Sequence, residues 1–161
     1  MALHRLVRDC PPLDPNSSYC NLLQCSHFKS TSIAAIHQDA LVGSVTAYRP
    51  PEQPDTLFVW QVAVHTSMRG QGLARRMLRH LFARVAAEGI RFIETSITSD
   101  NEASQRLFAG FAAEHKAQML RSVMFDKTTH FEGQHDTEYL YRIGPVESAA
   151  DPISTEQGET P

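Results

Sequence analysis

Residues 69–74 read Arg-Gly-Gln-Gly-Leu-Ala and lie between two segments of different periodicity. Before them, residues 57–64 are apolar or aromatic except for Gln61, as in a strand that is buried on both faces. After them, apolar residues recur at helical spacing as far as Val85, and Gly89 is placed to end the helix. Glycines at such a junction form a tight turn and let an anion approach the free N–H groups of the helix. The segment predicts a strand, a phosphate-binding loop and a helix.

The elements around this unit predict one α/β domain over residues 1–145. Strands are expected at Ile33–His37, 41–48, 90–97, Met119–Phe125 and Glu138–Ile143, and helices at 3–9, after Tyr19, and after the capping-box pattern of residues 99–102. A chain of 161 residues with 42% hydrophobic content is long enough for one such core. Residues 146–161 are polar and aperiodic, which predicts a disordered tail.

The composition argues against several classes of partner. The net charge of −3 argues against the basic surface that a nucleic-acid-binding protein needs. No apolar run has the length of a membrane span or of the apolar core of a signal peptide. The three cysteines, Cys10, Cys20 and Cys25, show no paired spacing for zinc or redox chemistry. We therefore expect a cytoplasmic protein with reduced thiols.

The loop and a later segment resemble the GNAT acetyltransferase superfamily. The signature Arg/Gln-x-x-Gly-x-Gly/Ala is met by Arg69, Gly72 and Ala74, and residues 101–108 match the pattern Asn-x-x-Ser-x-x-Leu-Phe. A dinucleotide-binding fingerprint is excluded because Arg75 stands in place of its third glycine. The resemblance implies a mixed central sheet, mostly antiparallel, with a splayed central strand pair and flanking helices. It also implies acetyl-CoA as cosubstrate, held by Val62, Val64, Arg69, Gly70, Gln71, Gly72, Ala74, Asn101 and Phe108.

A more specific resemblance covers roughly residues 6–145. Segments 6–14, 16–23, 49–51, 55–64, 100–104 and 139–145 are similar to the diaminobutyrate acetyltransferases of ectoine biosynthesis. This resemblance implies a homodimer that acetylates the 4-amino group of L-2,4-diaminobutyrate. Two departures from the family are expected: its first strand is absent before residue 6, and Phe108 replaces the tyrosine that serves many GNAT enzymes as general acid.

The acceptor would be a small diamine, so its site should contain carboxylates. The resemblance implies substrate contacts at Asp14, Tyr19, Trp60, Asn101 and Glu138, with Glu138 or His135 as general base. Each has a structural alternative, because an aspartate after two prolines can cap a turn, Trp60 can fill a core, Asn101 can cap a helix and His135 can be solvated in its loop.

Three alternative interpretations compete with this assignment. The histidines and carboxylates of residues 130–138 match no metal-binding motif, so we interpret them as a solvated loop and expect no metal. A chain that keeps the glycine loop could also be a non-catalytic acyl-CoA-binding module, which Phe108 would favour. A third possibility is an enzyme that acetylates polyamines or protein N-termini.

Overall fold

The computed structural model describes residues 1–11 and 13–146 and contains four helices and six strands there. The helices are α1 (Ala2–Arg8), α2 (Ser18–His27), α3 (Leu73–Ala86) and α4 (Glu102–Glu114). The strands are β1 (Ile33–His37), β2 (Ala40–Tyr48), β3 (Thr56–Val64), β4 (Phe92–Thr98), β5 (Met119–Phe125) and β6 (Glu138–Ile143). The predicted tail falls outside the described residues from 147 onward, but Val146, which was assigned to that tail, is buried in the core.

The six strands form one sheet in the order β1-β2-β3-β4-β6-β5. Every neighbouring pair is antiparallel except β3 and β4, which run parallel. A parallel pair needs a crossover connection, and α3 supplies it. The mixed, mostly antiparallel sheet confirms the expected fold class.

Helices α3 and α4 cover one face of the sheet and build the main core. The inner side of α3 contributes Leu73, Met77, Leu78, Leu81, Phe82 and Val85, all buried. Phe82 meets Phe111 of α4 edge-on, with ring centroids 5.4 Å apart. The arginines of α3 stay outside, and Arg75 and Arg79 both pair with Glu114 of α4. The amphipathic pattern of α3 thus determines which side of the helix meets the sheet.

The opposite face is covered near β2 and β3 by α1. Leu3, Leu6 and Val7 pack with Cys10 and with Ala63 of β3 in a second apolar cluster. Strand β3 is therefore covered on both sides, by α3 at Leu57 and Val59 and by α1 at Ala63, as its apolar sequence predicted.

Within β3 the burial of Trp60 and Gln61 departs from a regular in-out alternation. Gln61, the expected polar interruption, is only 9% exposed, whereas Trp60 is 41% exposed. The cause is a β-bulge: Thr46 of β2 pairs with Gln61 and Ala47 pairs with Val59, so Trp60 is the extra residue. A bulge breaks the strict in-out alternation of a strand, and simple periodicity could not reveal it.

The start of α4 also differs from the prediction. Asn101 is the N-cap, and its Oδ1 accepts a hydrogen bond from the Ser104 N–H at 3.1 Å. The capping box that begins at Ser99 is therefore not formed, because the helix starts two residues later than that pattern requires.

Over the part of the chain that the structure describes, no helix is long and apolar enough to cross a membrane.

Gly43 of β2 lies where the strand approaches α3 most closely. A Cβ atom added there would lie 2.9 Å from Met77 Cε and 3.2 Å from Leu73 Cδ2. We expect Gly43→Val to destabilise the protein by about 1–3 kcal/mol, the usual cost of overpacking. The control is Gly110→Ala in α4, where nothing lies within 4 Å and where alanine should be neutral or stabilising by up to about 1 kcal/mol. Urea unfolding measures both, and equal stabilities of the two variants would contradict this view of the packing.

Candidate active site

The central feature of the site is a gap between β3 and β4. Their parallel pairing runs from Thr56 opposite Phe92 to Val59 opposite Thr95 and then stops. Both strands continue beyond this point, β3 to Val64 and β4 to Thr98, each paired only on its other side. Backbone N–H and C=O groups that face the gap have lost their ladder partners, so they are available to a ligand.

A cavity of about 620 Å³ opens at this gap. Its walls come from the segment between α1 and α2, from the diverging parts of β3 and β4, from the start of α4, and from the loop between β5 and β6. The lining residues are Leu13, Asp14, Asn16, Val59, Trp60, Gln61, Val62, Thr95, Ser96, Ile97, Thr98, Asp100, Asn101, Ser104, Phe108, Phe125, Phe131, Gln134, His135, Asp136 and Glu138.

The side chains that line the cavity make it acidic. Its lining contains four carboxylates, Asp14, Asp100, Asp136 and Glu138, and among the described residues it contains no lysine or arginine. Lys127 binds Asp136 from outside the lining at 2.9 Å and lowers the pKa of that carboxyl group. The other three carboxylates have no cationic side chain within the lining, so the cavity attracts cations.

Glu138 and His135 stand together at one wall. Oε2 of Glu138 is buried and has no hydrogen-bond partner, and His135 Nε2 lies 4.0 Å from Oε1 of the same carboxylate. His135 Nδ1 is 2.7 Å from the carbonyl oxygen of Asp136. Because a carbonyl only accepts hydrogen bonds, Nδ1 carries the proton of the neutral ring and Nε2 is its basic atom. Two proton acceptors are thus adjacent in an acidic cavity.

Asp14 closes a turn and also lines the cavity. Its Oδ1 accepts a hydrogen bond from the Asn16 N–H at 3.0 Å, which closes the turn. Its carbonyl oxygen accepts a hydrogen bond of 2.7 Å from Gln61 Nε2, so the turn is held against β3. The sequence analysis did not include Gln61 in the site; the available signal was that it is the one polar residue in the otherwise apolar run of residues 57–64.

Trp60 lines the cavity and packs with other aromatic side chains on the sheet face opposite α3. Its ring centroid lies 6.2 Å from that of Tyr48 and 6.5 Å from that of Phe28. These neighbours support one side of the indole and leave 41% of the residue exposed. The alternative of a core tryptophan is therefore wrong, because Trp60 is partly exposed at the cavity.

The glycine loop lies at the N-terminus of α3, outside the cavity lining. Gly70 and Gly72 have φ values of 74° and 71°, in the left-handed region, and nothing lies within 4 Å of a Cβ atom added to either. The left-handed backbone conformation favours glycine at both positions. Packing does not require it, because the space around each residue is open. Arg69 Nε donates to the Val64 carbonyl at 3.2 Å and Gln71 Nε2 to the Ser67 carbonyl at 3.0 Å. The loop presents the start of a helix to an anion.

The predicted site residues divide into two places. The cavity brings together Asp14, Trp60, Val62, Asn101, Phe108, His135 and Glu138. Strand β3, which ends at Val64, connects it to the glycine loop and the first turn of α3, where Arg69, Gly70, Gln71, Gly72 and Ala74 lie. The carbonyl of Val64 is already engaged by Cys10 Sγ at 3.3 Å as well as by Arg69. Tyr19 does not line the cavity and is 70% exposed on α2, so the geometry gives it no substrate contact.

Among the described residues, the cavity lining offers neither a cysteine for thiol chemistry nor a cluster of metal ligands. Cys10 is buried under α1, Cys25 is exposed, and none of the three cysteines lines the cavity. Burial and the nearby Asp14 raise the pKa of the Cys20 thiol, which disfavours its thiolate. Among the described residues, no three His, Cys, Asp or Glu side chains are grouped so that they could hold a metal ion.

Comparison with known proteins gives a consistent family. Residues 1–111 match the acetyltransferase (GNAT) family. An L-2,4-diaminobutyric acid acetyltransferase of Methylotuvimicrobium alcaliphilum is 56% identical over 146 residues, which are 91% of this chain and 85% of that protein. One from Vibrio cholerae is 54% identical and covers 92% and 86%. The solved diaminobutyrate acetyltransferase of Paenibacillus lautus, in complex with L-2,4-diaminobutyric acid and coenzyme A, is 41% identical with a TM-score of 0.85, covering 91% of this chain and 89% of that one.

Trp60 is the chain's single tryptophan, so its fluorescence should report ligands in the cavity. We expect a saturable change on titration with L-2,4-diaminobutyric acid and none with succinate, because the cavity favours cations over dianions. The variant Trp60→Phe should lose the signal. An equal response to both ligands would show that the cavity does not select by charge.

Proposed function

Because the chain belongs to the acetyltransferase (GNAT) family, among the L-2,4-diaminobutyric acid acetyltransferases, we propose that it transfers the acetyl group of acetyl-CoA to the 4-amino group of L-2,4-diaminobutyrate. The product would be N-γ-acetyl-diaminobutyrate, a precursor of ectoine. The observation that carries the proposal is the acidic cavity at the gap between β3 and β4, which accepts a cation beside unpaired backbone groups.

The acceptor amine is held by the carboxylates of the cavity. Asp14 and Glu138 reach it from different segments, and the buried, unpartnered Oε2 of Glu138 offers a charged hydrogen bond to an ammonium group. Trp60 supplies an aromatic face for a cation, and Asn101 lines the cavity next to the start of α4. Tyr19 stays a prediction without support from the geometry.

Removal of a proton from the amine is the main chemical requirement. An alkyl amine with a pKa of about 10.4 is neutral in only about one molecule in 2,500 at pH 7, which corresponds to about 4.6 kcal/mol. Glu138 or His135 Nε2 takes this proton, directly or through water, and the freed lone pair attacks the thioester carbonyl. Such a base accelerates a reaction by about 10²–10⁴-fold.

The transfer requires no covalent intermediate on the enzyme. The C–N bond forms as the C–S bond breaks, and the electron pair of the C–S bond leaves with sulfur. The nitrogen then loses its second proton, to the thiolate or to solvent, and the amide and the coenzyme A thiol result. Phe108 lies at the cavity, is 2% exposed and cannot donate a proton. A thiol with a pKa near about 8.5 can leave as thiolate in mildly alkaline buffer, so a general acid at this position is not needed.

The cosubstrate acetyl-CoA provides the activated acetyl thioester. Its pyrophosphate fits the loop of Arg69, Gly70, Gln71, Gly72 and Ala74, where open space adjoins the N–H groups of α3. Its pantetheine arm would run along the unpaired backbone of β3 at Val62 and Val64, towards Asn101 and Phe108. Because Cys10 and Arg69 already bind the Val64 carbonyl, Val62 is the better supported of the two strand contacts.

The remaining proposals concern the whole protein. One acetyltransferase domain spans residues 1–145, and the protein is cytoplasmic.

The chain forms a homodimer, as the resemblance implies, and the edge strand β5 offers apolar surface for it. Leu120, Val123 and Phe125 of that strand are 54%, 58% and 42% exposed. The loss of such apolar exposure is a common reason for association.

The direct test is release of coenzyme A thiol from acetyl-CoA with diaminobutyrate, ornithine, lysine, a polyamine and a peptide offered separately. Diaminobutyrate should be the preferred acceptor. The variant Glu138→Gln should lower kcat/KM for it by at least the factor that corresponds to about 1.5–3 kcal/mol, the contribution of a charged hydrogen bond, and by about 10²–10⁴-fold if Glu138 is also the general base. The matched control is Glu114→Gln, whose side chain is 21% exposed against 20% for Glu138. Preference for the peptide or polyamine would overturn the acceptor, and no turnover with any amine would favour a binding module.

A pair of glycine variants tests the loop. Gly72→Glu should abolish acetyl-CoA binding, because the new carboxylate occupies the place of the pyrophosphate. Gly89→Glu is the control: Gly89 has a φ of 89°, similarly open surroundings and a place after the opposite end of α3. Titration calorimetry should find wild-type affinity in the folded Gly89 variant only. Equal affinities would show that the loop is a simple turn.

A further inference from the structure

Gln61 is a buried polar side chain whose role the reaction above leaves open. It is 9% exposed, lies in the apolar strand β3 directly after the bulge, and lines the cavity. Its Nε2 donates to the carbonyl oxygen of Asp14 at 2.7 Å, across 47 residues of sequence. Its Oε1 is buried without a hydrogen-bond partner. A buried polar group in that state is unfavourable for stability alone, so it calls for another explanation.

The orientation of this amide is fixed by its partner. The Asp14 carbonyl can only accept, so the atom that faces it must be Nε2, and a flipped amide would place two oxygens in contact. The same carbonyl accepts from Asn16 Nδ2 at 3.2 Å, and the Asp14 carboxylate accepts from the Asn16 N–H. Gln61 is therefore the link between this local turn and the sheet.

We propose that Gln61 is a positioning residue that sets selectivity for the length of the acceptor amine by holding the Asp14 turn against β3. This inference rests on the proposed function. Asp14 approaches the cavity on a short segment between helices, whereas Glu138 is fixed as the first residue of β6. The distance between the two carboxylates thus depends on the link through Gln61. Without that link the turn can move and admit longer diamines.

The variants Gln61→Met and Gln61→Leu remove the donor and keep an apolar side chain of similar size. Each should lower the ratio of kcat/KM for diaminobutyrate over ornithine by about three- to tenfold, the range for one neutral hydrogen bond. The change should appear mainly in the amine KM, while coenzyme A affinity stays within about twofold of the wild type, well below the effect of a lost hydrogen bond.

The matched control is Gln24→Met. Gln24 is also a buried glutamine with one bonded and one unpartnered side-chain atom, but it lies in α2 and does not line the cavity. The variant Gln24→Met can change thermal stability. It should nevertheless leave the amine selectivity and the mobility of residues 13–16 at wild-type values. A merely structural role of Gln61 would make the two glutamine sites behave alike.

Hydrogen exchange separates this inference from the proposed function. Amide exchange of residues 13–16 should be faster in Gln61→Met or Gln61→Leu than in the wild type and in Gln24→Met, whatever amine the enzyme accepts. Unchanged exchange or unchanged selectivity in a folded Gln61 variant would overturn the role of Gln61. A wild-type enzyme that ignores diaminobutyrate would overturn the proposed function instead, and selectivity would then be measured with the amine it uses and its longer homologue.

Discussion

The bulge at Trp60 and the end of β3–β4 pairing at Val59 are the constraint on which the site depends. Up to that point the strands form an ordinary parallel pair, and beyond it each keeps only its outer partner. Separation of the strands leaves backbone groups unpaired inside the protein, a state that persists only where a ligand or solvent can satisfy them. The bulge also turns Trp60 to the cavity, so the same local irregularity supplies both the opening and one of its walls.

Electrostatics then decides what can enter this opening. Four carboxylates come from three separate segments, and no lysine or arginine among the described residues lines the same walls. Like charges in a partly closed site repel one another, so a bound cation stabilises the arrangement. The loop at the other end of β3 has the opposite preference, because the N-terminus of α3 attracts anions. In the proposed function, β3 thus connects the loop for the phosphates of acetyl-CoA with the cavity for the amine, so the acetyl group can pass from one substrate to the other.

The sequence predicted the regular parts of this architecture and failed where contacts are non-local. Periodicity located α3 and the bounds of β5 and β6, since each depends on residues close in sequence. It gave no sign of the bulge at Trp60, because a bulge is set by pairing with β2. The hydrogen bond from Gln61 to Asp14 spans 47 residues and left no local signal. Resemblance to a family brought Asp14, Glu138 and His135 into the prediction, and it also included Tyr19, which lies outside the cavity.

The proposed reaction requires that both substrates meet in this cavity and that the amine attacks the thioester directly. The cavity lining contains no cysteine that could carry the acetyl group in an intermediate step. Initial rates measured over a grid of acetyl-CoA and diaminobutyrate concentrations test this most directly. Direct transfer predicts intersecting lines in double-reciprocal plots, as both substrates must be bound together. Parallel lines, with exchange of labelled coenzyme A into acetyl-CoA in the absence of amine, would reveal an acetyl-enzyme and contradict the account.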